Sequence, residues 1–468
     1  MRPTFHLKTL AVAITAFSMA SMGNAAGLDR SGQDMTAFLQ DGVYAEAVYT
    51  YIDADVSGYD SANDDPNSNT YERGKKTGDI AESYDFFRYG VKADINDTFS
   101  VGILYDEPFG AAAAYSGDNS FVSRGDVDAI LTDLTGSDNE GVEDRIAELG
   151  GSLGPSSTPE DIDAVTAGIT ALRTAQAIAA AEVGTAGEGT NVEVRSENIT
   201  AILGMKFGAN KNFQIYGGPV AQRIQADVKL RGTAYGPATG YTSHISPDQD
   251  YGYLAGVSYS KPEIALKAAL TYRSEIDHKM NIAEQYPVAA ALGINPVQSN
   301  EMEITTPKSV NFDFQTGINP TTLATAKVRW VPWSDFAITP PLYNDVSKRS
   351  YGPDGLNLVE YEDDQYQVEV GLAKRLTPAL ALSGTVGWDS GAGDPTTSLG
   401  PVEGYYSVGL GAKYNVTPTV AVSAGGKYLW FGDAKGQLPS DKIVGDFQDN
   451  DGYIVGVKLS YQAKQSFN

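Results

Sequence analysis

The sequence predicts an all-β protein, a transmembrane antiparallel β-barrel of about 14 strands. The first observation behind this prediction is a set of short runs in which apolar and polar residues alternate, which is the period of a strand with two unlike faces. The second is that tight turns and long polar connections alternate between these runs, as in barrels of bacterial outer membranes. The third is that no apolar stretch after the first 25 residues approaches the ~18 residues of a membrane helix. A membrane location would therefore require strands.

Residues 1–25 have the composition of a signal peptide. Arg2 and Lys8 give a cationic start, an apolar run extends from Leu10 to Met22, and small residues around Ala25 suit cleavage. We therefore expect the mature chain to be exported.

The predicted barrel occupies residues 44–463. Its candidate strands begin near Tyr44, Ser83, Thr98, Val192, Asn212, Tyr251, Glu263, Met302, Thr322, Gln365, Ala379, Gly404, Thr419 and Tyr453. The predicted tight turns are Asn96-Asp97, Gly208 to Lys211, Lys261-Pro262, Asn319-Pro320, Thr377-Pro378 and Thr417-Pro418. In an outer-membrane barrel such turns are periplasmic and the long loops lie outside the cell.

Side-chain direction along the strands favours a barrel over a soluble sandwich. The apolar face from Tyr406 to Tyr414 ends in Tyr at both edges, and the face from Tyr453 to Tyr461 repeats the pattern, as in interfacial aromatic girdles. Several strands also carry cations that lipid would not tolerate and that we expect to face a polar lumen: Arg88, Lys92, Lys267, Arg273, Lys327, Arg329, Lys413, Lys427 and Lys458. The alternative is a sandwich whose apolar faces pack together, which gives less reason for the paired Tyr ends.

The interval 116–191 is not strand-like and predicts a helical extracellular insertion. Two sets of apolar residues have helical spacing: Val127, Ile130, Leu131 and Leu134, then Ile162, Val165, Ile169, Leu172 and Ala175. Thr158-Pro159 predicts the start of the second helix and Gly184 its end, which makes a helical hairpin. Its apolar faces either pack on each other or on the barrel rim, or they form an apolar external groove.

Composition excludes several classes of function. The formal net charge of −25 argues against binding to nucleic acid, because phosphate contacts need a basic surface. The chain has no cysteine, so disulfides, thiolate nucleophiles and cysteine metal sites are excluded. No cofactor is expected.

The sequence offers weak candidates for chemistry. His244 and His278 lie near acids but beside no recognisable nucleophile motif, so we expect no catalytic residues and no enzyme. The acids from Asp53 to Gly58 resemble the start of a calcium loop, but Asp64 stands where the bidentate Glu would be needed. An ordinary acidic loop is the preferred interpretation, and no metal site is predicted.

The stretch from Tyr105 to Gly110 interrupts the third strand. Pro108 lacks a backbone donor, so the strand must kink or bulge there, and unpaired backbone groups in lipid are costly unless the wall opens onto a protected or wet cavity. The alternative is that Pro108 marks the outer end of the strand.

Several segments resemble the FadL family of outer-membrane transporters for long-chain fatty acids and related hydrocarbons. Val101 to Gly110, VGILYDEPFG, resembles the kinked third strand of that family. Tyr251 to His278 resembles its central hairpin, and Val328 to Phe336, VRWVPWSDF, also matches. The N-terminal region departs from the family, because it is short and lacks an Asn-Pro-Ala motif.

The resemblance implies a 14-stranded barrel plugged by an N-terminal hatch. Because only residues 26–43 precede the first strand, we expect a short plug, and residues 464–468 are expected to form a C-terminal tail. The resemblance also implies that ligand is captured among extracellular loop helices and released sideways at the kink. The residues that would form this exit are Asp106, Glu107, Pro108, Phe109 and Gly110.

We therefore expect a passive importer of hydrophobic small molecules in the outer membrane of a Gram-negative bacterium. Arg273, Lys327 and Arg329 are the candidate ligand-binding residues if the ligand carries a carboxylate. The expected partners are this ligand, lipopolysaccharide and outer-membrane lipid, and a monomer is favoured because the exit needs free lipid. The alternative is a general diffusion porin or a structural barrel. Fatty acid, alkane and aromatic hydrocarbon remain open as substrates.

Overall fold

The structure is a computed structural model that describes residues 28–63 and 69–463. The predicted signal peptide (1–25) and C-terminal tail (464–468) lie outside the described residues, as do the first two residues of the predicted plug.

The wall is a closed antiparallel barrel, as predicted. Its sheet has 17 hydrogen-bonded segments, and three strands consist of two segments each, so the wall has 14 strands. In chain order they are β1 (Val43–Asp55), β2 (Tyr84–Asp94), β3 (Phe99–Asp106 and Gly110–Ala114), β4 (Asn191–Phe207), β5 (Phe213–Lys229), β6 (Thr242–Lys261), β7 (Leu266–Arg273 and Ile276–Gln285), β8 (Val297–Thr306 and Ser309–Asn319), β9 (Thr322–Val331), β10 (Gln365–Arg375), β11 (Leu380–Asp389), β12 (Glu403–Asn415), β13 (Val420–Gly432) and β14 (Asp451–Ala463). The barrel closes because β1 pairs with both β2 and β14.

The two ends of the barrel differ in their connections. At one end, called here the turn end, each predicted tight turn joins neighbouring strands, and Val43 pairs with Ala463. At the other end, the loop end, long connections carry the helices, a two-stranded pair of Ala337–Ile338 with Val359–Glu360, and five further short strands. These short strands are Ser57–Ser61, Arg73–Asp79, Thr396–Thr397, Ala434–Gln437 and Ile443–Phe447, which form a second small sheet.

The two faces of the wall have the predicted polarity. Leu410 is 71% exposed on the outer face, between the exposed Tyr406 and Tyr414 of the same strand. Most of the predicted lumen cations are buried, which is possible because they lie among polar groups inside the barrel: Arg88, Lys92, Arg273, Arg329, Lys413, Lys427 and Lys458.

Two strands begin earlier than predicted. β6 begins at Thr242 instead of near Tyr251, and β8 begins at Val297 instead of near Met302. Apart from Pro247 and Val297, the outward side chains of both added stretches are polar, so the apolar signal of a lipid-facing strand is weak in them. The wall extends beyond its apolar belt on this side.

Residues 28–42 run inside the barrel. Met35 and Phe38 are fully buried, and the Phe38 ring lies 5.6 Å from the ring of Tyr216 on β5. The amide of Asn311 on β8 donates to the backbone oxygen of Gly32 at 2.8 Å. We call residues 28–42 the N-terminal segment.

The loop between β3 and β4 contains three helices: α1 (Val127–Thr135), α2 (Asn139–Gly151) and α3 (Pro159–Gly184). The start and end of α3 are those predicted, with a capping box between Thr158 and Asp161. The sequence predicted two helices here, and the structure has three. The helix that was missed is α2, which has a weakly apolar face with only Val142 buried. A fourth helix, α4 (Pro341–Tyr351), lies between β9 and β10. In the part of the chain that the structure describes, none of the helices has the length and apolar character to cross a membrane.

Candidate functional site

The half of the lumen near the loop end is apolar. Inward side chains from most of the wall form one buried cluster there, with members Ile52, Phe86, Ala111, Val192, Val194, Ile224, Ala226, Val228, Ile245, Met280, Ile282, Ile304, Val331, Leu429 and Ile454. Leu28, at the tip of the N-terminal segment, belongs to the same cluster and lines a small apolar cavity of about 30 Å³ with Val194 and Ala226. We call this region the apolar half of the lumen.

The half of the lumen near the turn end carries the ion pairs, together with a smaller apolar cluster in which Met35 and Phe38 pack against Ile202, Val220 and Leu254 of the wall. Its ion pairs join wall residues to each other or to the N-terminal segment: Lys92–Asp94, Arg88–Glu46, Lys458–Glu46, Lys427–Glu369, Lys327–Asp34 and Arg329–Asp29. Two cavities of about 60 and 50 Å³ lie between the wall and the N-terminal segment in this region. We call it the polar half of the lumen.

The boundary between the two halves lies at the break in β3. On the neighbouring β4, the inward residues are Val192 and Val194 above the break, Ser196 beside it, and Asn198, Thr200 and Ile202 below it. The break is therefore at the height where polar side chains first appear on the inner face of β4.

The break also interrupts the wall between β2 and β3. Their ladder ends at the pair Tyr89–Tyr105, and the chain next pairs at Ala81–Ala113. Between these two pairs no ladder pair joins β2 to β3 among the described residues. We call this gap the side opening.

The backbone groups freed at the break find partners inside the barrel. The N–H of Gly110 donates to the carbonyl of Leu28 at 2.8 Å, and the N–H of Arg30 donates to the carbonyl of Pro108 at 2.7 Å. The Ser196 hydroxyl accepts from the N–H of Phe109 at 2.8 Å and donates to its carbonyl at 2.7 Å. The N-terminal segment thus satisfies part of a strand that has left the wall.

The predicted exit residues have distinct contacts. Asp106 faces inward and accepts from the Ser31 hydroxyl at 2.8 Å, and the Phe109 ring lies 5.7 Å from the ring of Trp333. Glu107 lies in the side opening, where it accepts from the Phe87 N–H and the Tyr105 hydroxyl, both at 3.4 Å. Since β3 resumes at Gly110, Pro108 lies within the strand and does not mark its outer end.

The three candidate ligand cations face the N-terminal segment. Arg329 binds both carboxylate oxygens of Asp29, at 2.6 and 3.0 Å, and Lys327 binds Asp34 at 2.7 Å. Arg273 donates to the sulfur of Met35 at 3.4 Å. Their role in ligand binding stays a prediction.

An external groove lies beside the second half of α3. It has a volume of about 330 Å³ and is lined by Ala177, Ala180, Ala181 and Gly184 of α3 together with residues of two other loops. Arg231 lies at its edge, and its guanidinium is held by Glu188 and by two backbone carbonyls.

Glu182 anchors α3 to the neighbouring loops through a buried carboxylate. It accepts from the Thr239 hydroxyl and, at 2.9 Å, from the N–H of Arg124. Burial raises the pKa of this carboxyl above its usual range, and the two hydrogen bonds offset only part of the effect. The folded loop therefore binds a proton more tightly than the unfolded loop does.

We predict that the attachment of α3 weakens as the pH rises through this raised pKa. The sign follows because a raised pKa favours the folded state at low pH, and this contribution is lost when the carboxyl ionises. Amide hydrogen exchange in α3, corrected for intrinsic rates, should increase over this range. Glu182→Gln keeps both hydrogen-bonding positions and should remove the pH dependence. An unchanged dependence in this variant would contradict the prediction.

His244 and His278 form hydrogen bonds that join different strands of the wall. His278 is buried between Gln222 at 3.0 Å and Asp248 at 3.3 Å, whereas the exposed His244 lies 2.6 Å from Asp227. The contacts with Asp227 and Asp248 join adjacent strands, whereas the contact between His278 and Gln222 reaches from β7 to β5 across β6.

These features define a class: a 14-stranded transport barrel with an apolar outer belt and a lumen that is apolar at one end. A family model described as outer membrane protein transport protein (OMPP1/FadL/TodX) matches residues 165–463, and the chain belongs to this family. It is thus one of the FadL/TodX-type outer-membrane transporters for hydrophobic compounds, located in a Gram-negative outer membrane.

Solved structures share the fold over nearly the whole chain. A Pseudomonas aeruginosa FadL homologue is 14% identical with a TM-score of 0.61, and the match covers 98% of this chain and 99% of that one. The P. putida toluene transporter TodX is 11% identical with a TM-score of 0.53, covering 95% and 94%. At these identities the likeness shows the fold alone. No curated protein matches the sequence.

Proposed function

We propose that this protein is a passive transporter that takes up long-chain fatty acids or similar hydrocarbons. The external groove beside α3 captures the ligand, the apolar half of the lumen holds it, and the side opening releases it into the membrane. The related structures include a toluene transporter, which supports an apolar ligand class.

The observation that carries this proposal is that the side opening coincides with the boundary inside the lumen. Leaving an apolar environment costs about 0.8 kcal/mol per CH₂ group, so a long chain would meet a large barrier at the charged half of the lumen. Sideways movement at the break in β3 leads instead to the apolar interior of the bilayer.

A diffusion porin is the second candidate, but the N-terminal segment disfavours it. The cavities beside this segment have volumes of about 50 and 60 Å³. Met35 and Phe38 of this segment are fully buried, and its Asp29 and Asp34 pair with wall cations, so the segment occupies the space through which a sugar would have to pass. We propose accordingly that the barrel conducts few ions.

The proposal includes no cofactor and no catalytic step, and it treats the protein as a monomer. A neighbouring barrel against β2 or β3 would cover the side opening, whereas release requires lipid there. Lipopolysaccharide is the expected neighbour at the loop end, where the barrel meets the outer leaflet.

Uptake of labelled oleate and of a small polar sugar should be compared in cells that lack other hydrophobic importers. We expect oleate uptake without sugar uptake. Ala226→Asp should reduce oleate uptake by at least about tenfold, because it places a charge in the apolar half of the lumen. Ser423→Asp, in the polar half, is the matched control and should have little effect.

Heat-modifiable migration on gels should establish that both variants fold before uptake is compared. Sugar uptake with high conductance in planar bilayers, and no oleate uptake, would identify a porin and contradict the proposal.

A further inference from the structure

Arg30 places a guanidinium group in the side opening. Its Cζ lies 3.7 Å from the centroid of the Tyr84 ring on β2. On the other side lies Gly110 of β3, where an added Cβ would be only 2.3 Å from the same Cζ. The guanidinium is therefore held between the two strands that the opening separates, and a side chain at position 110 would displace it.

The charge of Arg30 is buried without a carboxylate partner. The residue is 4% exposed, and its Nε lies buried with no hydrogen-bond partner. Within residues 28–63 and 69–463, no carboxylate forms an ion pair with it. The nearby Glu107 attracts Arg30 electrostatically but forms no ion pair with it. Its carboxylate accepts hydrogen bonds from Phe87 and Tyr105 instead.

This arrangement differs from that of two other cations around the N-terminal segment. Arg329 and Lys327 have Asp29 and Asp34 at hydrogen-bond distance. A buried cation without an anion is unfavourable, and a ring contact offsets only part of the cost. A group that supplies negative charge to Arg30 would therefore bind favourably.

We propose that Arg30 binds the carboxylate of an amphipathic ligand at the side opening. The inference rests on the proposed function and narrows it to ligands with a long apolar chain and one anionic head group. Leu28, Phe109 and Ala111 surround this position on the lumen side and belong to the apolar cluster. The chain of the ligand can thus remain in the apolar half while its head group contacts Arg30.

The same guanidinium chemistry would suit a lipid phosphate reaching the opening from the membrane. The ligand carboxylate is favoured because Arg30 belongs to the N-terminal segment and stacks on Tyr84, whose neighbours Phe86 and Arg88 on the same face of β2 point into the lumen. The experiment must distinguish these two sources.

The test compares Arg30→Met, which keeps an unbranched apolar side chain and removes the charge, with Arg30→Lys, which keeps the charge. Equilibrium binding of oleate and of oleyl alcohol, which has the same chain without the charge, should be measured on purified protein in a zwitterionic detergent. We expect Arg30→Met to weaken oleate binding by about tenfold or more, as for the loss of a hydrogen bond to a charged group. Oleyl alcohol binding should be unchanged, and Arg30→Lys should retain most oleate affinity.

Equal losses for oleate and oleyl alcohol would mean that Arg30 is structural and would overturn the proposal, as would no loss for either ligand. If Arg30→Met loses binding of dodecyl phosphate while its oleate binding is unchanged, Arg30 binds a lipid phosphate. This outcome would also overturn the proposal. Wild-type protein that binds neither oleate nor oleyl alcohol would instead defeat the proposed function itself. Arg30→Gln serves the same comparison if Arg30→Met does not fold.

Discussion

Arg329→Met is expected to loosen the N-terminal segment by ~3–5 kcal/mol, the usual cost of removing one partner from a buried ion pair. Asp29 is fully buried and both of its carboxylate oxygens bind the Arg329 guanidinium. Without Arg329 this carboxylate keeps its desolvation cost and loses its cation. The two parallel hydrogen bonds also fix the orientation of Asp29. Without them the N-terminal segment should bind the wall more weakly and also lose its fixed position.

Single-channel conductance in planar bilayers and protease access to the N-terminal segment would measure this loosening. Both should increase in Arg329→Met, and the double variant with Asp29→Asn should recover most of the loss, since it leaves no uncompensated charge. Lys308→Met is the matched control. Lys308 lies 3.4 Å from Asp335 at a partly exposed site, and such pairs contribute little. Equal effects of the two Met variants would contradict the prediction.

Bridging the side opening covalently is expected to reduce uptake of hydrophobic ligand at least about tenfold if release is lateral. The chain has no cysteine, so two introduced cysteines can form a bridge only with each other. Phe87→Cys with Glu107→Cys places thiols on opposite sides of the opening, where the Phe87 N–H already contacts the Glu107 carboxylate. A short bis-thiol reagent or oxidation would then hold β2 and β3 together, and a reductant should restore uptake after oxidation.

The control pair is Tyr89→Cys with Tyr105→Cys. These residues are ladder partners immediately below the opening, so a bridge between them joins strands that are already paired. Its formation should leave uptake unchanged. If bridging 87 to 107 also leaves oleate uptake unchanged, ligand leaves by another route.

Most of the wall could be predicted from the sequence because a lipid-facing strand carries its signal locally. Alternation and the tight turns identified all 14 strands, and the errors were confined to where β6 and β8 begin. In those stretches the outward side chains meet water or polar head groups, so no apolar face marks the strand. The missed helix α2 has the same cause, because few of its residues are buried.

The lumen could be predicted only in outline. The cations that face inward were identifiable, since lipid excludes them, but their partners were not. Arg329 and Asp29 are 300 residues apart, and nothing local in the sequence indicates that they meet. Arg30 was missed for the same reason: its importance depends on the absence of a carboxylate around it, which is a property of the folded lumen.

The closure of the barrel has a consequence for its biogenesis. β1 and β14 are paired along their whole length, from Val43 with Ala463 to Asp55 with Asp451. The seam that completes the ring therefore joins the first and last strands to be synthesised, and it can form only after the rest of the wall exists. The N-terminal segment, which precedes β1 and contacts β3 and β9, would be enclosed as the sheet curls around it. An insertion machine that holds this seam open would thus also control when the interior becomes sealed.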